Sequence, residues 1–178
     1  MRFAIPFLLF ASSAFAQNHS APPAVPDSCG PVNIQFNVKQ DRTQHSLSQP
    51  EPGKALVYLI EEFEELPTSF ITPTIRVGAD GAWVGATKGT SFLFFSVEPG
   101  EHHLCANWQS SSSKISKQFS LTSFTAESGK VYFFKVAPRL EAFHDGGNAW
   151  SKDLAPVNAD EANYLLGISS LSVSHPHK

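Results

Sequence analysis

The chain has 178 residues, 13 basic against 16 acidic side chains, a formal net charge of −3 and 42% hydrophobic residues. That length suits one domain with a sizeable core. The mild, dispersed acidity gives no support to nucleic-acid binding, which asks for a basic stripe, and the seven histidines add charge mainly at acidic pH.

Met1-Arg2 precedes an apolar run from Phe3 to Phe10, broken only by Pro6, and Ala14-Phe15-Ala16 closes the segment. A basic start, an apolar middle and an A-x-A end are the parts of a secretory signal peptide, so residues 1–16 are expected to be removed. The run is shorter than the roughly 20 residues a spanning helix takes; an uncleaved anchor is the alternative. No Cys stands at the cleavage site, where Gln17 follows Ala16, so lipid attachment is not expected, and no later stretch reads as a transmembrane segment. The expectation is an exported protein, periplasmic or extracellular. Residues 17–31, with Pro22, Pro23, Pro26 and Pro31, read as an extended leader. They include an Asn18-His19-Ser20 sequon, which matters only in a glycosylating host.

Cys29 and Cys105 are the two cysteines. In an exported chain such a pair reads as one disulfide. Two free thiols are the alternative, though they lack C-x-x-C spacing.

Val32, Ile34, Phe36 and Val38 alternate with Asn33, Gln35 and Asn37, the pattern of a half-buried strand. Ala55 to Ile60 is apolar on both faces and predicts a central strand. Glu61, Glu62, Glu64 and Glu65 then read as a solvated strand end that also discourages edge pairing. Thr74–Val77 and Ala82–Gly85 flank Asp80-Gly81, the dipeptide of a type I′ hairpin turn. Ser91–Val97 is strongly apolar, and Glu98-Pro99-Gly100-Glu101 turns the chain back into His102–Trp108. In that strand Leu104, Ala106 and Trp108 share a face with His102. Cys105 points the other way with His103 and Asn107, so the disulfide should pin the leader across the sheet's outer surface. Ile115, Phe119 and Leu121 predict one more apolar face, and Tyr132, Phe134 and Val136 another. Asn158 to Gly167 is the one helical stretch: Asn158 can cap it, Asp160 and Glu161 suit its first turn, and Ala162, Leu165 and Leu166 form its apolar side.

These elements predict a mostly β fold: a single antiparallel β-sandwich of about eight strands over residues 32–168 with one short C-terminal helix, followed by a loose tail at 169–178. A small closed barrel is the runner-up.

Gly53-Lys54-Ala55-Leu56-Val57-Tyr58, Asp80-Gly81 with Val84-Gly85, Ser91-Phe92-Leu93-Phe94, Glu98-Pro99-Gly100-Glu101-His102 and Gly129-Lys130-Val131-Tyr132-Phe133 follow one another in an order that resembles the bacterial domain-of-unknown-function family 2846. The resemblance spans roughly Lys54 to Ile168. The two turns are also distantly similar to those of PEGA-type and carboxypeptidase regulatory-like sandwiches. It implies a bacterial exported β-sandwich and carries no catalytic residues over. Lipoprotein signals are common in the family, and this chain lacks the lipobox.

Three readings of the chemistry follow. Imidazole and carboxylate groups of His103, His144, Asp145, His175 and His177 could form a zinc or copper site, although no spacing is a known signature. His102 and His103 point to opposite faces and cannot readily share a metal. Nucleophilic catalysis finds no G-x-S-x-G elbow and phosphate binding no P-loop. Glu61 and Glu64 could be posed as a glycosidase pair only by a separation the sequence does not fix. Phe92, Phe94 and Phe95 make a strand apolar on both faces, whose outer side needs a cover: the leader, the helix or a partner. The favoured expectation is therefore a non-catalytic binding or structural module with no cofactor, recognising a protein or envelope partner and no nucleic acid. The alternatives are a histidine-based metal module and a hydrolase with an unrecognised site.

Overall fold

The computed structural model describes residues 25–43, 47–63, 72–142 and 148–177. The expected signal peptide and leader residues 17–24 lie outside them. Among the described residues ten strands form: β1 Gln35–Asp41, β2 Ala55–Glu61, β3 Thr74–Ala79, β4 Ala82–Lys88, β5 Ser91–Val97, β6 Gly100–Trp108, β7 Phe119–Ala126, β8 Val131–Ala142, β9 Asn148–Pro156 and β10 Ser170–His177. Two helical segments join them, α1 Ser113–Ser116 and α2 Ala159–Ile168.

The strands make two sheets, as a β-sandwich requires. One has six strands in the order β1-β10-β5-β2-β8-β9; the other has four in the order β4-β3-β6-β7. The eight-strand, all-antiparallel expectation is corrected, because β2 runs parallel to β8 and β10 parallel to β5. Parallel pairing needs a crossover, and α2 supplies one between β9 and β10. That helix is therefore not C-terminal in the fold.

The loose tail at 169–178 is likewise corrected to β10, paired with β1 along Gln35–Asp41. Its serines disguised it. Ser172 Oγ donates to Ser91 Oγ at 2.8 Å, and Ser174 Oγ accepts the Ala86 N–H at 3.1 Å, so both tie β10 into the sandwich. β1 begins later than its pattern suggests: Phe36 is buried, whereas Val32 is 62% exposed. Residues 115–122 are not one strand either. Ser113–Ser116 makes a single helical turn, and β7 then puts Phe124 and Ala126 inward.

β2 explains the layering. Its odd residues Ala55, Val57 and Leu59 enter the core between the sheets with Ile75, Val77, Leu104, Ala106 and Trp108. Its even residues Leu56, Tyr58 and Ile60 face outward and are sealed by Ala162, Leu165 and Leu166 of α2. Both faces of β2 are buried, as its two-sided apolar run predicts. Asn158 caps α2 by accepting the Glu161 N–H at 2.9 Å, and Lys135 of β8 pairs with Glu161 at 2.7 Å.

Candidate functional site

The outer face of the four-stranded sheet carries the most specific polar construction in the molecule. Arg76 and Gly78 of β3 and Cys105 and Asn107 of β6 point outward because Ile75, Val77, Leu104 and Ala106 point inward. Residues 25–34 cross this face as an irregular strap. Cys29 of the strap is bonded to Cys105, where the alternation places it. Arg76 is 4% exposed. Its Nη1 donates to the Val32 carbonyl at 3.0 Å and the Ile34 carbonyl at 2.7 Å, while Nε and Nη2 donate to Asn107 Oδ1. Asn107 Nδ2 in turn donates to the Ser116 and Gln118 carbonyls. Trp83 Nε1 donates to the Pro31 carbonyl at 2.8 Å, and the guanidinium lies 4.6 Å from the Trp83 ring centre. An irregular segment has no ladder for its carbonyls, so side-chain donors satisfy them. Glycines let it lie flat. A Cβ on Gly30 would stand 2.4 Å from the Trp83 ring, and one on Gly78 would stand 3.0 Å from the Ser28 carbonyl oxygen.

Between the strap and β7 the face stays open. Phe119 and Leu121 stand opposite Asn107 and Cys105 on this outer side. One concavity of about 270 Å³ is lined by Val32, Arg76, Lys117 and Phe119; another of about 500 Å³ by Asp27, Asp80, His103 and Leu121. Leu121 is 53% exposed. A larger, mostly polar concavity of about 690 Å³ opens at one end of the sandwich beside Thr90 and Ser169, and Arg42 is the one charged side chain among its described lining residues.

Three ionisable groups are perturbed by burial. Lys152 of β9 lies under the sheet edge, with Nζ donating to the Gln118 carbonyl at 2.8 Å and 5.4 Å from the Trp108 ring centre; burial pushes its amine down to about 7. Arg76 is lowered by burial alone. Glu61 corrects the reading of a solvated acidic strand end, because its side chain is fully buried on the inner face. Neither of its carboxyl oxygens completes a hydrogen bond. Burial holds this carboxyl well above the usual carboxylate range; the Thr87 hydroxyl and the Gly89 N–H act against the rise without cancelling it. Glu64 and Glu65 lie outside the described residues.

Of the expected metal group, the described histidines lie on different sheets. His103 stands on the outer face of the four-stranded sheet, and His175 and His177 stand on β10 of the other sheet. His144 and Asp145 lie outside the described residues. Among the described residues no three His, Cys, Asp or Glu side chains come together as metal ligands would. Of the expected aromatic surface, Phe92 is 2% exposed in the cluster under α2, whereas Phe94 beside that cluster and Phe95 against the inner core are only partly buried.

Arg76, Asn107, Lys152 and the strap's carbonyl contacts escaped the sequence reading. A signal for the first two existed: the alternation that sends Cys105 outward sends Asn107 with it, and pairing with β3 puts Arg76 beside it. No family model, curated protein or solved structure matches this chain. No helix among the described residues is long and apolar enough to cross a membrane.

Proposed function

We propose that this chain is an exported, non-catalytic binding or structural module, and that it meets a protein or envelope partner along the groove between the strap and β7. The observation that carries this reading is the pair of aliphatic side chains on that groove. Val32, on the strap, is 62% exposed in one concavity and Leu121, on β7, 53% exposed in the other. Exposed apolar side chains along a rigid concave surface are what a partner interface uses. Over the six-stranded sheet α2 seals the strands and itself leaves Tyr164 and Ile168 exposed, so that side is the alternative contact surface.

The perturbed groups support the non-catalytic part. Arg76, through Asn107, and Lys152 directly converge on the Gln118 carbonyl and spend their donors on backbone carbonyls, while Glu61 lies apart on β2. A catalytic site instead gathers such groups around one cleft. The Cys29–Cys105 disulfide fits an oxidising compartment.

The test is crosslinking in the producing organism followed by recovery of the mature protein from the exported fraction, with wild type and Leu121→Asp side by side. A stoichiometric partner recovered with wild type and lost with the folded variant supports the groove. The same partner recovered with both moves the interface elsewhere, and no stoichiometric partner removes the interaction reading.

A further inference from the structure

Two tight turns meet at one end of the four-stranded sheet. Asp80 and Gly81, with φ of 51° and 88°, make the β3–β4 turn, where Asp-Gly is favoured because both residues need positive φ. Glu98-Pro99-Gly100 makes the β5–β6 turn. His102 of β6 lies between them, its side chain 12% exposed and its ring 5.7 Å from that of Phe124 on β7. Its Nδ1 is 2.6 Å from Asp80 Oδ2, and its Nε2 is 2.6 Å from the Glu98 carbonyl oxygen. Asp80 Oδ1 also accepts the His103 N–H at 2.8 Å, and the Asp80 N–H donates to the His103 carbonyl at 3.0 Å.

Both ring contacts are with oxygens that only accept. A carbonyl has no proton to give, and neither does an ionised carboxylate. Neutral imidazole carries one N–H, so it can satisfy one of the two; imidazolium carries two and satisfies both. The surroundings agree. Burial opposes the ring's charge, yet the Asp80 bond, the Glu98 carbonyl and the Asp80 charge together raise the pKa above the ordinary histidine value. Burial likewise opposes ionisation of Asp80, and the His103 N–H, the His102 bond and the two histidine charges outweigh it, so this carboxyl stays below its ordinary range.

We propose that His102 is a pH-sensitive latch: as an imidazolium it ties the β3–β4 turn to the β5–β6 turn, and loss of one proton releases the second turn. The direction of release follows from the acceptors. The charged Asp80 carboxylate holds the remaining proton on Nδ1, so Nε2 becomes a lone pair 2.6 Å from the Glu98 oxygen, and that contact breaks. Because folding raises the pKa, the latch is fully closed below about 6.5, the unfolded value, and opens as pH rises through the folded value. Asp80 and His103 line the groove beside Leu121, so the latch also fixes one wall of that groove. The inference does not depend on any partner.

Other charges attend the same elements. The Glu98 carboxylate faces Lys54 at 3.8 Å, Glu101 faces His103 at 3.6 Å, and Asp27 lies on the strap against Gly81. On β7 and β8 the neighbours are Phe124 and Tyr132, whose tilted rings lie 4.9 Å apart. Comparison with Asp80→Asn isolates the latch from this background, and Asn is tolerated at a type I′ position.

The experiment is a nuclear magnetic resonance titration of the ring nitrogens, with amide exchange measured along Glu98–His103. In wild type both His102 ring nitrogens should be protonated at pH 5.5, with a midpoint above about 6.5. Asp80→Asn should lower that midpoint by about one unit, the effect of losing one adjacent charge. Exchange at Gly100 and Glu101 should rise through the wild-type midpoint beyond its intrinsic increase with pH. A singly protonated ring at pH 5.5, a midpoint unmoved by Asp80→Asn, or exchange that follows only the intrinsic rate would each overturn the latch.

Discussion

The two outer faces of this sandwich are covered by opposite means. Over the six-stranded sheet, α2 lays Ala162, Leu165 and Leu166 on Tyr58, Ile60 and Phe92, and apolar burial holds it there. Over the four-stranded sheet, the strap buries little apolar side chain: Cys29 is covered, but Val32 is 62% exposed. Its carbonyls are held by Arg76 and Trp83, and its chain by a disulfide. The difference lies in the sheets. A face of Leu, Tyr, Ile and Phe needs only an amphipathic helix, which satisfies its own backbone. A face of Arg76, Gly78, Cys105 and Asn107 accepts a segment whose own backbone makes only isolated turn bonds, because it supplies further donors. One cover rests on area removed from water, the other on directional bonds and a crosslink.

The strongest way to break this contrast is to remove the crosslink. Cys29 and Cys105 close a loop with a sequence separation of 76, for which chain entropy gives a ceiling of about 4.5 kcal/mol. Replacing both by Ser should cost about 2–4 kcal/mol in urea denaturation. Native-state amide exchange should rise in residues 28–34 and stay unchanged in α2. A cost under about 1 kcal/mol would mean that Arg76 and Trp83 hold the strap unaided. Leu165→Ala tests the other cover. Leu165 is 2% exposed, and its truncation should cost about 3 kcal/mol, with the loss of protection centred on α2. Exchange rising equally in the strap would show that the two covers are coupled through the core.

The covers differ as well in how far the sequence announces them. The α2 signal is local and complete: a cap at Asn158, acids at Asp160 and Glu161, and an apolar stripe at helical spacing. The disulfide and its outward placement also follow from period-two alternation around Cys105. What stays illegible is whatever depends on contacts distant in sequence. Ser172 and Ser174 look like a polar tail until β5 and β4 stand beside them. The parallel neighbours of β2 and β5 depend on a crossover that no hairpin motif encodes. Glu61 reads as part of an acidic run, because its burial is set by β4 and β5 rather than by its own neighbours. The groove beside the strap is likewise a product of two segments about 90 residues apart in the chain, roughly the separation of Val32 and Leu121.

The smallest effect sharpens the contrast most. Gly78 lies under the strap, and a Cβ there would stand 3.0 Å from the Ser28 oxygen, 3.2 Å from Cys29 Cα and 3.3 Å from the Trp83 ring. Two of those neighbours are backbone atoms next to the disulfide, so they can yield only by lifting the strap. Gly78→Ala should cost about 1–2 kcal/mol, the scale of a single overpacked methyl group. The loss should appear as faster exchange in residues 28–34 and as a changed Trp83 indole N–H signal, since that group donates to Pro31. Alanine adds strand propensity and removes glycine's entropy cost, so a strap able to shift freely would leave the variant as stable as wild type or more so. That outcome would show that the disulfide tethers the strap without fixing it. A loss confined to the strap would show that polar capture sets its position to within a few tenths of an ångström, which apolar packing of α2 on Tyr58 and Phe92 does not require.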